Sequence, residues 1–321
     1  MNKKTDKKAW LALVMLLPAL LFAGKYSGEI FQLAPGVANQ AMGGTGLTDK
    51  GNVSAAWWNP ALLNVNNGKS IELMHAEQFE GLMQLNSAAA RLGTDNTMGI
   101  VINHVGINNV GLTRLENDSL PPSPDNQPYI YKRVNNNDLI ASLGIGRRMR
   151  ENLFLGIAPK LAYRNLAEKS GFGFGADLGL LWQINPKFAF GAVAKDFFST
   201  QIIWENGTVE TALPSLNTEL SLENRFSKKQ IPYRLVLNLE SMFEGRAEAA
   251  TINAGPWSAD LHAGLAINPI PQLKLMAGYD VDAITTGLGI QISKLNVEYA
   301  IKLGSEEDLG YSQRVSAGWR W

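Results

Sequence analysis

Along much of the chain apolar and polar residues alternate. From Leu295 to Leu303 the odd positions Leu295, Val297, Tyr299, Ile301 and Leu303 are apolar or aromatic, and Asn296, Glu298, Ala300 and Lys302 between them are small or polar. A period of two predicts a β-strand with one apolar and one polar face. Phe172, Phe174, Ala176, Leu178, Leu180, Trp182 and Ile184 likewise oppose Gly171, Gly173, Gly175, Asp177, Gly179 and Gln183. Tyr233, Leu235, Leu237 and Leu239 oppose Arg234, Asn238 and Glu240, and Leu273, Leu275, Ala277 and Tyr279 oppose Lys274, Gly278 and Asp280. In Ile284 to Ile292 the even positions form the apolar face. About thirteen such segments can be marked, beginning near residues 69, 82, 97, 138, 152, 171, 187, 231, 257, 272, 283, 294 and 311.

The first 23 residues have a different character. MNKKTDKK is basic, and Trp10 to Ala23 is an uncharged apolar run interrupted by Pro18. This is the pattern of a cleaved signal peptide, and the run is too short for a spanning helix. Its removal takes away Lys3, Lys4, Lys7, Lys8 and Asp6, leaving 25 basic against 28 acidic residues. Beyond Ala23 no run is apolar for long enough to cross a membrane as a helix, so an exported, membrane-spanning role requires a closed β-barrel.

The strand lengths fit that solution. About 10 residues at about 3.3 Å each, tilted by about 40°, span roughly 25 Å, the height of the apolar band of such barrels. Their strand number is even, which raises the expected count to about 14. The apolar face is then the outer one, against outer-membrane lipid. Asp177, Arg234, Glu240, Asp260, His262, Lys274, Glu298 and Lys302 become candidates for the polar lumen. Asn108 to Asn137 and Ser199 to Gln230 read as long loops. Val315, Ala317, Trp319 and Trp321 alternate to a terminal aromatic, as the final strand of outer-membrane barrels does. The soluble alternative, a secreted β-sandwich or barrel with the apolar face as its core, would need an unusually large single sheet.

Residues 24–66 do not alternate, and they divide the chain into a leader (1–23), an N-terminal segment (24–66) and a barrel (67–321). From Phe31 to Leu63 the segment reads FQLAPGVANQAMGGTGLTDKGNVSAAWWNPALL, rich in glycine (Gly43, Gly44, Gly46, Gly51) and closing on Asn59-Pro60-Ala61. A barrel of about 14 strands is too wide for side chains alone to fill. The segment is therefore the candidate for a hatch inside the lumen. Pro60 restricts Asn59 to an extended conformation.

AMGGTG followed by WWNPALL ahead of the first strand resembles the N-terminal signature of the PorV/PorQ family of outer-membrane proteins. SGFGFGADLGLLWQINPKFAFGAVAKDF, IPYRLVLNLE and LGYSQRVSAGWRW are similar to that family's central hairpin, its Pro-Tyr-Arg-Leu strand and its terminal strand. The family is related to FadL-type long-chain fatty-acid transporters, which carry a similar asparagine-proline-alanine motif. The resemblance implies an all-β, 14-stranded transmembrane barrel with an N-terminal hatch. It also implies one of two roles: passage of small hydrophobic molecules, or docking of exported proteins with type IX secretion partners.

Composition excludes other chemistry. With Cys 0 there is no thiolate metal site or cysteine nucleophile, and Lys+Arg 29 against Asp+Glu 29 leaves no basic footprint for nucleic acid. No cofactor is implied. Gly171-x-Gly173-x-Gly175 precedes no helical segment and reads as strand packing. His75, His104 and His262 lack metal-ligand spacing. Ser258, Asp260 and His262 share one strand face, but such neighbours do not by themselves bring a nucleophile within reach of its base. A non-enzymatic barrel is the expectation.

Overall fold

The computed structural model describes residues 29–65, 68–92, 98–226, 228–246, 249–304 and 310–321. The leader expected over residues 1–23 lies outside the described residues.

The alternating segments form one closed antiparallel wall. Its strands are β1 (Ser70–Gln78), β2 (Met83–Leu92), β3 (Met98–Leu115), β4 (Pro128–Arg150), β5 (Leu153–Leu166), β6 (Lys169–Gln183), β7 (Phe188–Lys195), β10 (Ser215–Phe226), β11 (Ile231–Met242), β13 (Trp257–Ile270), β14 (Leu273–Asp280), β15 (Ala283–Ile292), β16 (Leu295–Leu303) and β17 (Tyr311–Arg320). Each pairs with the next, and β1 pairs with both β2 and β17, so that Ser70 faces Arg91 on one side and Arg320 on the other. The result is a 14-stranded closed barrel. Three short strands stand outside that ring: β8 (Thr200–Trp204) and β9 (Val209–Ala212) form a hairpin against the first half of β6, and β12 (Ile252–Ala254) pairs with β13.

The thirteen alternating segments of the sequence all become wall strands, and the fourteenth is β10. It lies inside 199–230, a stretch expected to be a loop, and that expectation is corrected. Its described residues form the β8–β9 hairpin, the strand β10 and a short turn at 228–230. The loop expected over Asn108 to Asn137 is also shorter, because β3 and β4 stay paired out to Leu115 and Pro128. Long connections gather at one end of the barrel (116–127, 196–214, 243–256), opposite the end where β1 begins and β17 finishes. At that second end the connections at 151–152, 271–272 and 293–294 are two-residue turns.

The apolar face is the outer one. Leu161, Phe172, Leu237, Leu275, Ile284, Leu288, Val297 and Trp319 are exposed around the circumference, whereas Asp177, Asn238, Asp260 and Glu298 are buried. Large apolar side chains left outside around the whole circumference, with charged side chains turned inward, are the reverse of a soluble globule's surface.

The interior is occupied. Residues 29–65 cross it with two short helices, Val37–Ala41 and Ala55–Trp58, and two 3-10 turns, Glu29–Gln32 and Pro60–Asn64. One apolar cluster joins Phe31, Trp57, Trp58, Leu62 and Leu63 to Val101, Ile140, Leu181 and Val193 of the wall. A second joins Val37, Ala41 and Met42 to Met74, Leu85, Val236 and Met276.

Candidate functional site

The N-terminal segment is too short to satisfy its own backbone, and buried amides and carbonyls need partners. The inner wall supplies them. Glu219 on β10, fully buried, accepts from the amides of Gly46 (2.7 Å), Leu47 (2.9 Å) and Thr48 (2.9 Å) and from Thr48 Oγ1 (2.6 Å). Arg234 on β11 donates to Thr48 Oγ1 and lies 3.4 Å from the same carboxylate. Glu298 accepts from the Ala38 amide, Thr285 Oγ1 accepts from the Gly43 amide, and His262 Nδ1 donates to the Gly43 carbonyl at 2.9 Å. Arg91 donates to the carbonyls of Lys50 and Leu62, Asn103 to that of Leu33, and Arg314 to that of Ala34. The segment is thus held by its backbone from β2, β3, β10, β13, β15, β16 and β17.

Missing side chains matter as much. Asn59 is fully buried in an extended conformation (φ −156°, ψ 104°), and its carboxamide donates to Leu47 O and to Leu180 O on β6. Asn59 Oδ1 accepts from the Ala61 amide, which starts the turn that Pro60 opens. This close approach needs glycine on the wall. A Cβ at Gly179 would stand 2.2 Å from Asn59 Oδ1, and one at Gly156 would stand 2.3 Å from the Pro60 carbonyl carbon. At Gly43 (φ +74°) a Cβ would meet the carbonyl oxygens of Tyr279 and Ala263 at 2.3 and 2.5 Å. Gly44 has φ +77° beside His262, and Gly46 packs on Asn39 and Trp58.

The other inward polar candidates fall into pairs. Asp177 binds Lys160 at 2.8 Å and accepts from the Asp196 amide; Glu240 accepts from Asn217. Asp260 pairs with Arg246 at 2.7 Å, and Lys302 with Asp280 at 2.6 Å. Lys274 and Glu298 line a polar cavity of about 260 Å³ beneath the segment, together with Asp49, Glu72 and Arg320. Asp49 is half-buried there. Burial opposes its ionisation, but Arg234, Lys274, the Gly51 amide and Arg320 outweigh that and hold its carboxyl below the usual range.

Ser258, Asp260 and His262 do not form a relay. Ser258 Oγ donates to Glu244 O and accepts from Arg246 Nε, while His262 Nδ1 is turned to Gly43 and Asp280. The glycine run at 171–175 instead gives room for Trp204, Ile202 and Thr200 of β8 to lie against β6.

Two further cavities lie on the long-loop side of the segment. One, of about 370 Å³, is mainly apolar, lined by Ile30, Leu33, Met83, Val105, Ile107 and Leu166. The other, of about 250 Å³, is polar and is lined among others by Lys195, Glu240, His262 and Asp280.

No protein-family model and no curated protein sequence matches the chain. Solved structures do match in shape. The toluene transporter TodX of P. putida aligns over 89% of this chain and 96% of its own, with a TM-score of 0.58 at 13% identity. The Ralstonia pickettii toluene transporter TbuX aligns over 89% and 97%, with a TM-score of 0.53 at 11% identity. The monoaromatic hydrocarbon channel CymD aligns over 90% and 97%, with a TM-score of 0.55 at 11% identity. The likeness is one of fold. The PorV/PorQ resemblance rests on the sequence motifs alone.

Proposed function

We propose that the chain is an outer-membrane barrel that passes small hydrophobic molecules across that membrane, with residues 24–66 as its hatch. The observation that carries this reading is the apolar cavity of about 370 Å³ at the long-loop end, walled on one side by Ile30 and Leu33 of the hatch. Solvent does not reward an apolar recess, whereas an apolar molecule leaving water does. The exposed apolar circumference supports a position in lipid, with the long-loop end outward and the two-residue turns toward the periplasm. The fold shared with proteins described as toluene transporters and a monoaromatic hydrocarbon channel supports the same class of cargo. Beneath the apolar cavity the hatch separates it from the polar cavity at the other end, so a cargo crosses only when the hatch shifts. The docking role in type IX secretion has the PorV/PorQ resemblance alone behind it.

A hydrophobic diazirine probe tests the reading. In purified barrels it should label Leu33, Met83 or Val105, and unlabelled toluene should compete. Labelling confined to the outer wall, at Leu161 and Phe172 for example, would refute it.

A further inference from the structure

The apolar and polar cavities above the hatch share Leu33 and Gln78 in their linings. Gln78 ends β1 with its side chain turned inward and only 7% exposed. Among the described residues neither end of its carboxamide has a hydrogen-bond partner. Several other inward carboxamides are engaged at one end or both: Asn217 donates to Glu240, Asn59 to two carbonyls, and Asn103 to Leu33 O. Its polar atoms are not among the fully buried, unpartnered ones of the described residues, so they open onto the chambers, and an amide that both donates and accepts at their junction is placed to meet a ligand.

We infer that Gln78 reads the polar end of the cargo, and that the cargo is a compact apolar molecule bearing one neutral hydroxyl, a phenol or an alcohol, in preference to a bare hydrocarbon. The inference rests on the proposed passage of hydrophobic molecules. With the apolar body beside Leu33, Met83 and Val105, a hydroxyl at the junction accepts from Gln78 Nε2 or donates to Oε1. A hydrocarbon leaves both unpaired, and a site built for a hydroxyl discriminates against the analogue that lacks one. An anion is the weaker fit. Setting His262 aside, the charges lining the two chambers balance, four carboxylates against four cations, so there is no net field to draw an ion from water. Lys195, 8% exposed and without a partner among the described residues, gives the polar chamber a further donor for oxygen.

The test compares p-cresol, p-xylene and 4-methylbenzoate, three molecules of similar shape, by calorimetry on the full barrel in lipid nanodiscs, with empty nanodiscs subtracted. p-Cresol should bind about tenfold more tightly than p-xylene, the worth of one good hydrogen bond, and Gln78→Met should bring the two within about twofold. Equal affinities in the unsubstituted protein would overturn the inference, as solvent would then satisfy Gln78. A preference retained in Gln78→Met would also overturn it. Tightest binding by 4-methylbenzoate would overturn it in favour of an anion held by Lys195. If p-xylene and p-cresol bind equally, passage of hydrophobic molecules survives; if none of the three binds, that reading falls as well. Should Gln78→Met fail to fold, judged by its heat-modifiable band, the ranking of the three probes on the unsubstituted protein decides.

Discussion

The Glu219 carboxylate lies 2.7 Å from the Gly46 amide nitrogen, so a strand of the wall grips the N-terminal segment by its backbone. Two further amides and the Thr48 hydroxyl share the same carboxylate. Glu219→Ala leaves these donors and Arg234 without it, at a cost of about 3–5 kcal/mol for breaking one side of a buried charged network. The closed wall does not depend on that grip. We expect an intact heat-modifiable barrel whose conductance in planar bilayers rises; conductance at the parent level would show that Glu219 does not hold the hatch shut.

Glu219 is also the residue hardest to see in the sequence. Most of the thirteen legible strands carry a clear apolar stripe, although in β2 the outward positions include Gln84 and Asn86. In β10 the outward face is Leu216, Thr218, Leu220 and Leu222, a stripe as apolar as that of β2, but it follows a polar stretch that hides its start. The signal is present in the alternation of Leu216, Leu220 and Leu222 with Asn217, Glu219 and Ser221. Arg234 and Glu298 are legible as inward and do contact the segment. Arg91, Thr285 and Arg314 do not stand out, since alternation reports which face a residue takes and nothing about the backbone opposite. The Asn59-Pro60 pair is visible as a motif, but its seat on Gly156 and Gly179 depends on register between strands.

Gly43 is expected to be intolerant. Its positive φ, and the two carbonyl oxygens that a methyl group there would meet within 2.5 Å, leave Ala no room, whereas at Gly51 the nearest atom is 3.4 Å away. Gly43→Ala should cost about 1–3 kcal/mol of hatch stability, and Gly51→Ala should be nearly neutral. Limited proteolysis of the segment in folded barrels distinguishes them, and equal protection would contradict the seating described.

Opposite faces of one strand should respond differently. Leu275 is exposed on the outer wall and its neighbour Lys274 lines the inner polar cavity. Leu275→Arg should lower unfolding free energy in lipid by about 2–4 kcal/mol if it lies near the midplane. Lys274→Gln should be milder, and equal losses would mean the faces are misassigned.

Asp49 ties hatch stability to pH. Its carboxyl is held below the ordinary range in the folded protein, despite burial, by Arg234, Lys274, the Gly51 amide and Arg320. A depressed pKa contributes stability that is present above the unfolded value, about 3.9, and is lost as pH falls through the folded value. Protease protection of the hatch should therefore hold from neutral pH to about 4 and decline below it. Asp49→Asn should flatten that decline, and an unchanged profile in this variant would show that another group sets it.

Uptake of a labelled small hydrocarbon into cells bears most directly on passage itself. The rates to compare are those of cells whose outer membrane carries the barrel, cells without it, and cells carrying Met83→Arg, which sets a cation in the apolar cavity while leaving the lower hatch contacts intact. The expected result is faster initial uptake with the unsubstituted barrel and a return toward the barrel-free rate with Met83→Arg. Uptake that is the same in all three, with the barrel verified in the outer membrane, would contradict a role in hydrophobic passage.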